Sequence, residues 1–297
     1  MEAVPEMRPS PQSPALDQLD TPDTVRAVLA GQSQVAAAVA GAQADLVAAV
    51  ELIVARFDAG GRLLLLGAGT SGRLAVQEAV EVPGTYGIAE DRIQARVAGG
   101  GPGQLVGTDA AEDDAAAGRA DVLELAAGPA DVLVAVAASG STPYTVTAAE
   151  LARQRGAAVI AVTNCPGSRL AELAEVAIEV PVGDEVVAGS TRLAAGSAQK
   201  LVLNTLTTAA MIRLGHVHQH YMVDVVAAND KLRRRVCGVV AASTGQDEPT
   251  AWSALQRCDW NARAAIVHLL AGLDPAEAAE VVARHRTVRQ ALAAVVS

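Results

Sequence analysis

Aromatic side chains are nearly absent: two Trp, three Tyr and one Phe make up 2% of the 297 residues. Few platforms remain on which nucleobases could stack. Positive charge is also short, with 23 Lys and Arg against 33 Asp and Glu for a formal net charge of −10. No basic face is available to hold a phosphate backbone, so both counts argue against a nucleic-acid partner. Cysteine is sparse as well. Cys165, Cys237 and Cys258 are odd in number, widely spaced and without paired metal-ligand spacing, which reads as free thiols in a reducing compartment rather than a disulfide framework. The Ala/Val stretches are broken by charges before reaching ~18 residues. The opening MEAVPEMRPSPQSP lacks a basic-then-apolar run. No membrane partner or secretion is indicated, and a cytoplasmic location is the expectation.

What is there is apolar: 51% hydrophobic residues over this length suffice for one large α/β domain and a smaller appendage. Residues 1–15 read as a mobile N-terminus. Leu16 to Phe57 reads as two amphipathic N-terminal helices, the first opened by Thr21-Pro22-Asp23, with Thr21 as N-cap and Pro22 at the first helical position. Short apolar runs then alternate with helical stretches: Arg62 to Leu66, Ile93 to Val97, Val132 to Ala137, Ala158 to Val162 and Val176 to Val182. That rhythm predicts a parallel sheet with helices on both faces, a three-layer α/β sandwich. A long helix follows from Arg192 to Leu214, ending at Gly215. Composition turns small and polar over Cys237 to Thr244, and three short helical patterns follow from Glu248. The organisation expected is a large α/β domain over 16–238 and a small helical C-terminal domain over 239–297.

The first strand runs into Gly67-Ala-Gly-Thr-Ser-Gly-Arg73 and then a helix. Formally this is GxGxxG, but a dinucleotide site also needs an acid at the end of the next strand, which here reads Ala95-Arg-Val-Ala-Gly-Gly-Gly101. The reading preferred is a single phosphate on the helix N-terminus, met by Thr70, Ser71 and backbone N–H groups. The other reading is a plain strand-to-helix turn. The third strand supplies a second loop, Ala137-Ala-Ser-Gly-Ser-Thr-Pro-Tyr144. Ser139, Ser141 and Thr142 there are phosphate ligands or caps of their own helix. Two such loops at the carboxyl ends of neighbouring parallel strands would converge on one crevice. A third loop, Val182 to Arg192, carries Glu185, Ser190 and Thr191, read as sugar-hydroxyl ligands or as caps of the long helix. His216, His218 and His220 with Asp224 form a rival, metal-binding constellation. If the stretch is helical, only His216 and His220 share a face, and no carboxylate or cysteine pattern surrounds it.

GAGTSGRLAVQEAVEVPGTYG (67 to 87), VAASGSTPY (136 to 144), TNCPGS (163 to 168) and VVAGSTRLAAGSAQKLVLNTL (186 to 206) resemble successive signatures of the N-acetylmuramic acid 6-phosphate etherase family, within the sugar isomerase (SIS) superfamily. The likeness continues through MVDVVAANDKLRRR (222 to 235) and covers nearly the whole chain. It implies an SIS-type fold and cleavage of the lactyl ether of N-acetylmuramic acid 6-phosphate to N-acetylglucosamine 6-phosphate and D-lactate, without metal or nucleotide cofactor, in cell-wall recycling. It carries two catalytic glutamates onto Glu81, as acid, and Glu112, as base. Val82 stands where cysteine is usual, Gly101 and Asp109 where glutamate is common, and Ser141 where arginine is common. From the residues alone, Glu112 also reads as one of a solvated acidic run with Asp113 and Asp114, and Glu81 as a surface charge. Two rivals share the fold: a non-catalytic sugar-phosphate sensor and an aldose–ketose isomerase.

A helix from Ser71 to Glu81 would span about 15 Å at ~1.5 Å per residue, long for one sugar phosphate. Two explanations stand. A homodimer sharing its sites would let the partner supply Glu81. A kink after Val80, made by Pro83 and Gly84, would fold Glu81 back.

Overall fold

The computed structural model describes residues 15–101 and 108–296. Apart from Ala15, the stretch read as a mobile N-terminus lies outside them. Three helices come first rather than two: α1 (Thr21–Gly31), α2 (Val35–Gly41) and α3 (Gln43–Asp58). Asp20, not Thr21, is the N-cap of α1. Its side chain accepts from the Asp23 N–H at 2.9 Å, because a carboxylate two residues before Pro22, just outside the helix, reaches the free N–H groups that Thr21, already helical, does not. Then β1 (Leu63–Gly67), α4 (Gly69–Tyr86), β2 (Ile93–Val97), α5 (Ala115–Glu124), β3 (Val132–Val136), α6 (Pro143–Gln154), β4 (Ala158–Thr163), α7 (Arg169–Leu173) and β5 (Val176–Glu179) follow. The long helix α8 covers Ala194–Leu214.

The five strands form one parallel sheet in the order β2-β1-β3-β4-β5. Every residue of β1, β3 and β4 is buried, which explains why their sequences are continuous apolar runs rather than alternating ones. Leu64, Leu66, Leu133 and Ala135 join Val122 of α5 and Tyr144, Ala148 and Ala152 of α6 in one core. Helix α3 packs against β3 and β5. The chain leaves β1 toward β2 on one side and reaches β3 on the other, so the strand order reverses between β1 and β3. Register sets Gly67 beside Val136, and the two strands end level.

The chain divides into two compact units, Met1–Val80 with Glu90–Thr207, and Glu81–Ala89 with Thr208–Ser297. The second holds a two-residue hairpin, β6 (Val217–His218) and β7 (Tyr221–Met222), followed by α9 (Asp230–Thr244), α10 (Glu248–Arg257), α11 (Ala262–Ala271), α12 (Pro275–Arg284) and α13 (Val288–Val296). Its core gathers Val240, Leu255, Ile266, Val267 and Val282. Four helices follow Glu248, one more than expected. The small residues of Cys237 to Thr244 belong to α9, where Cys237, Val239 and Val240 are buried, and the boundary expected at 238/239 falls inside that helix. All three cysteines are free thiols. Among the described residues, no single helix is long and apolar enough to cross a membrane.

Candidate functional site

A cavity of about 390 Å³ opens at the carboxyl ends of β1 and β3 in the first unit. This is the point where the strand order reverses, the place at which open parallel sheets bind ligands. The loops after the two strands meet there: Thr70 and Ser71 from one, Ser139, Ser141 and Thr142 from the other, with Thr191 across from them. Glu112 and Asp113 line the same cavity.

Glycine makes the β1 loop possible. A Cβ on Gly72 would stand 2.3 Å from the Gly67 carbonyl oxygen and 2.5 Å from Val97 Cγ2, so α4 can start this close to the sheet only without one. Ser71, 8% exposed, donates to Gln199 Oε1 at 2.8 Å. Gln199 Nε2 donates to Asn164 Oδ1 at 3.0 Å, and Asn164 Nδ2 to the Val180 carbonyl at 2.9 Å. One polar chain thus ties α4, α8 and the ends of β4 and β5. Sequence reading named neither Gln199 nor Asn164 as a site residue. A buried glutamine in an Ala/Leu-rich helix was the available signal. Glu78, 4% exposed, further fastens α4 to α8, accepting from Lys200 at 3.0 Å and Thr207 at 2.6 Å.

The β3 loop is built otherwise. Gly140 has φ +63°, and a Cβ there would lie 2.1 Å from Ser168 Oγ. Ser139 Oγ accepts from the Ser141 N–H at 3.2 Å and from the Ser141 hydroxyl at 3.1 Å. Pro143 opens α6 as expected, and Thr142 is its N-cap residue, yet the Thr142 side chain makes no capping hydrogen bond. The capping alternative for Thr142 therefore does not hold.

In the third loop the roles are exchanged. Glu185, 9% exposed, accepts from the N–H groups of Ala194 and Ala195, both at 3.0 Å, so this carboxylate caps α8. An anion at a helix N-terminus is doubly favoured, by the unpaired N–H groups and by the helix dipole. Glu185 lines a neighbouring cavity of about 270 Å³ with Cys165 and Asn164, while Ser190 is absent from the residues lining either one.

Glu112 sits on a 3₁₀ turn, Asp109–Asp113. Ala111 packs on the core beneath it, and Asp114 caps α5 by accepting from the Ala117 N–H at 2.9 Å. The acidic run is thus divided: one member caps a helix and two face the cavity. The Asp109 side chain lies outside the described residues. Glu81 lies on α4, which is helical from Gly69 to Tyr86 with Pro83 inside it, and it falls in the second unit.

The histidine stretch is a hairpin, not a helix, with Gln219 at φ +54° in its turn. His216 Nδ1 pairs with Asp224 Oδ2 at 2.9 Å. His218 is buried, and its pKa is lowered by burial and then by the Arg289 charge. Among the described residues, no three His, Cys, Asp or Glu side chains gather as a metal site.

Residues 30–164 match the SIS domain. An N-acetylmuramic acid 6-phosphate etherase from Rubrobacter xylanophilus is 46% identical over 271 residues, 91% of this chain and 90% of its own. The chain belongs to the N-acetylmuramic acid 6-phosphate etherase family. The etherase from Symbiobacterium thermophilum is 48% identical over 88% of this chain and 87% of its own. Among solved structures, a phosphoheptose isomerase from Francisella tularensis aligns at 18% identity with a TM-score of 0.49, covering 65% of this chain and 100% of that one. The etherase-family signatures map onto the parts just described: 67 to 87 on the β1 loop and α4, 136 to 144 on the β3 loop, and 186 to 206 on the approach to α8 and its first half.

Proposed function

We propose that this chain cleaves the D-lactyl ether of N-acetylmuramic acid 6-phosphate, yielding N-acetylglucosamine 6-phosphate and D-lactate, in the recycling of cell-wall sugar in the cytoplasm. The observation that carries the reading is a carboxylate, Glu112, lining the same cavity as two hydroxyl-bearing loops in a chain of this family. A sensor would need the loops but not the carboxylate.

The reaction is that of a lyase followed by hydration. Ring opening exposes an aldehyde at C1, which acidifies the C2 proton. Glu112 takes that proton, the C3–O bond breaks, and Glu81 protonates the departing lactate oxygen, leaving a C2–C3 double bond. Water then adds, its hydroxyl to C3 and a proton to C2. One carboxyl must be ionised while the other is protonated, so the two environments have to differ. Ser139, Ser141, Thr142 and Thr70 bind the sugar phosphate, with Ser71 and Thr191 lining the same cavity. Glu185, which caps α8, and Ser190, which lines neither cavity, support the loop from outside it. Incubation with N-acetylmuramic acid 6-phosphate should release D-lactate. Absence of lactate together with interconversion of aldose and ketose phosphates would favour the isomerase instead.

The enzyme works as a homodimer with shared sites, the partner supplying Glu81. Supporting this, α1 buries none of its residues and exposes Val25 and Leu29, an apolar face that a second copy would cover. Mixing inactive Glu81→Gln subunits with inactive Ser139→Ala subunits should restore activity, since a mixed dimer then carries one intact site. Subunit exchange without recovery would assign Glu81 to its own chain.

A further inference from the structure

A serine hydroxyl has one proton and two lone pairs. Ser71 lines the cavity, but its proton is committed away from it, to Gln199 Oε1 at 2.8 Å. What fixes that direction is two residues further on. The Val180 carbonyl can only accept, so Asn164 must present Nδ2 to it, at 2.9 Å, and Oδ1 to Gln199. Gln199 must in turn present Nε2 to Asn164, at 3.0 Å, leaving Oε1 for Ser71. Turning Asn164 over would set its oxygen against the Val180 oxygen. Turning Gln199 alone would set two amide oxygens face to face. Gln199 is 1% exposed, so an amide oxygen turned into that opposition would be left buried without a donor.

We infer that Ser71 meets the ligand as a hydrogen-bond acceptor. Its hydroxyl therefore takes a hydrogen bond from a sugar hydroxyl or amide N–H and is not a ligand of the phosphate. A phosphate dianion offers only acceptors, which lone pairs on Ser71 would oppose. The phosphate falls instead to the β3 loop, where the Ser139 oxygen accepts twice from Ser141 and its own proton stays available. Gln199 and Asn164 are positioning residues whose polarity, set by a backbone carbonyl, selects a sugar over a bare anion. The inference rests on the sugar-phosphate reading above and sharpens it.

The test is calorimetric binding of two ligands, N-acetylglucosamine 6-phosphate and inorganic phosphate, to the full chain and four variants. Ser71→Ala should weaken the sugar phosphate about tenfold and leave inorganic phosphate within about twofold, whereas Ser139→Ala should weaken both. Asn164→Leu frees Gln199 to turn, so the preference for sugar phosphate over phosphate should fall by about tenfold. Asn164→Asp keeps an acceptor facing Gln199 and, by taking up a proton, can still donate to Val180. It should retain the preference. A ratio of two affinities is not moved by a loss of stability alone, and Ser71→Ala decides the matter if Asn164→Leu does not fold. Equal losses of both ligands in Ser71→Ala would overturn the acceptor role, and an unchanged ratio in folded Asn164→Leu would overturn the relay. Wild-type protein that binds neither ligand would remove the sugar-phosphate reading itself, and the inference with it.

Discussion

The loops after β1 and β3 end level in the sheet and face one cavity, yet they use their hydroxyls differently. Ser71 is drawn into a buried chain that reaches Val180, while Ser139, Ser141 and Thr142 bond within their own loop or leave α6 uncapped. The first loop is part of the scaffold that holds α4 and α8 together. The second keeps the Ser139 proton and the Thr142 hydroxyl for whatever enters. What a hydroxyl contributes to a site is decided by what already holds its proton, and residue type alone does not reveal that.

The largest effect should come from the group that both loops exist to serve. Glu112→Gln keeps the shape of the cavity and removes the base, so kcat should fall by roughly 10²–10⁴. Exchange of the C2 proton with solvent deuterium should stop as well. Glu81→Gln, by contrast, should allow the exchange and block lactate release. Near-normal lactate production by Glu112→Gln would place the base elsewhere.

The two loops can then be broken separately at their glycines. Gly140 and Gly69 both have positive φ, +63° and +52°, but a Cβ on Gly140 meets Ser168 Oγ at 2.1 Å and Thr163 Oγ1 at 2.9 Å, whereas nothing lies within 4 Å of one on Gly69. Gly140→Ala should displace the β3 loop and destabilise the fold by more than the ~1 kcal/mol expected of Gly69→Ala, whose cost is backbone strain alone. Denaturant midpoints of the two variants give the comparison directly. Equal midpoints would mean that Ser168 yields easily.

How much of this was legible follows from the range of the interactions. The strands were readable because Leu63–Leu66 and Val132–Val136 are buried on both faces and their apolar runs end at turn residues. Both cavity loops were readable for the same reason, since a strand end, a glycine and a hydroxyl lie within a few positions of one another. The break between α2 and α3 at Ala42 was not readable, because VAAAVAG is good helix-forming sequence and only packing divides it. The hairpin at His218 to Tyr221 was missed because Gln219, rather than glycine, takes the positive φ. Ser71 and Gln199 are 128 positions apart, and no local pattern links them.

Helix capping offers a smaller and cleaner contrast. Glu185 caps α8 with both carboxylate oxygens from nine and ten residues upstream, the task that sequence had offered to Ser190 and Thr191. Glu185→Ala should cost about 2 kcal/mol, the loss of two charge-assisted bonds in a buried place. Ser190→Ala should fall within about 0.5 kcal/mol of wild type. If Ser190→Ala proved the more costly of the two, the cap would belong to the serine.

The smallest change in stability is expected at Thr142, and it separates the two readings of the β3 loop most sharply. A threonine before Pro143 at the start of α6 has the sequence of an N-cap, and loss of a working cap costs about 1 kcal/mol. Here the side chain makes no such bond, although Thr142 does line the cavity. Its hydroxyl therefore has no structural task to lose. Thr142→Ala should leave the unfolding free energy within about 0.5 kcal/mol of wild type while weakening N-acetylglucosamine 6-phosphate binding by roughly three- to tenfold. Urea unfolding and calorimetry on the same preparation read the two quantities independently. A cap predicts the reverse pattern, lowered stability with affinity retained. That outcome would return Thr142 to the scaffold beside Ser71, leaving Ser139 as the hydroxyl whose proton the β3 loop offers to the phosphate.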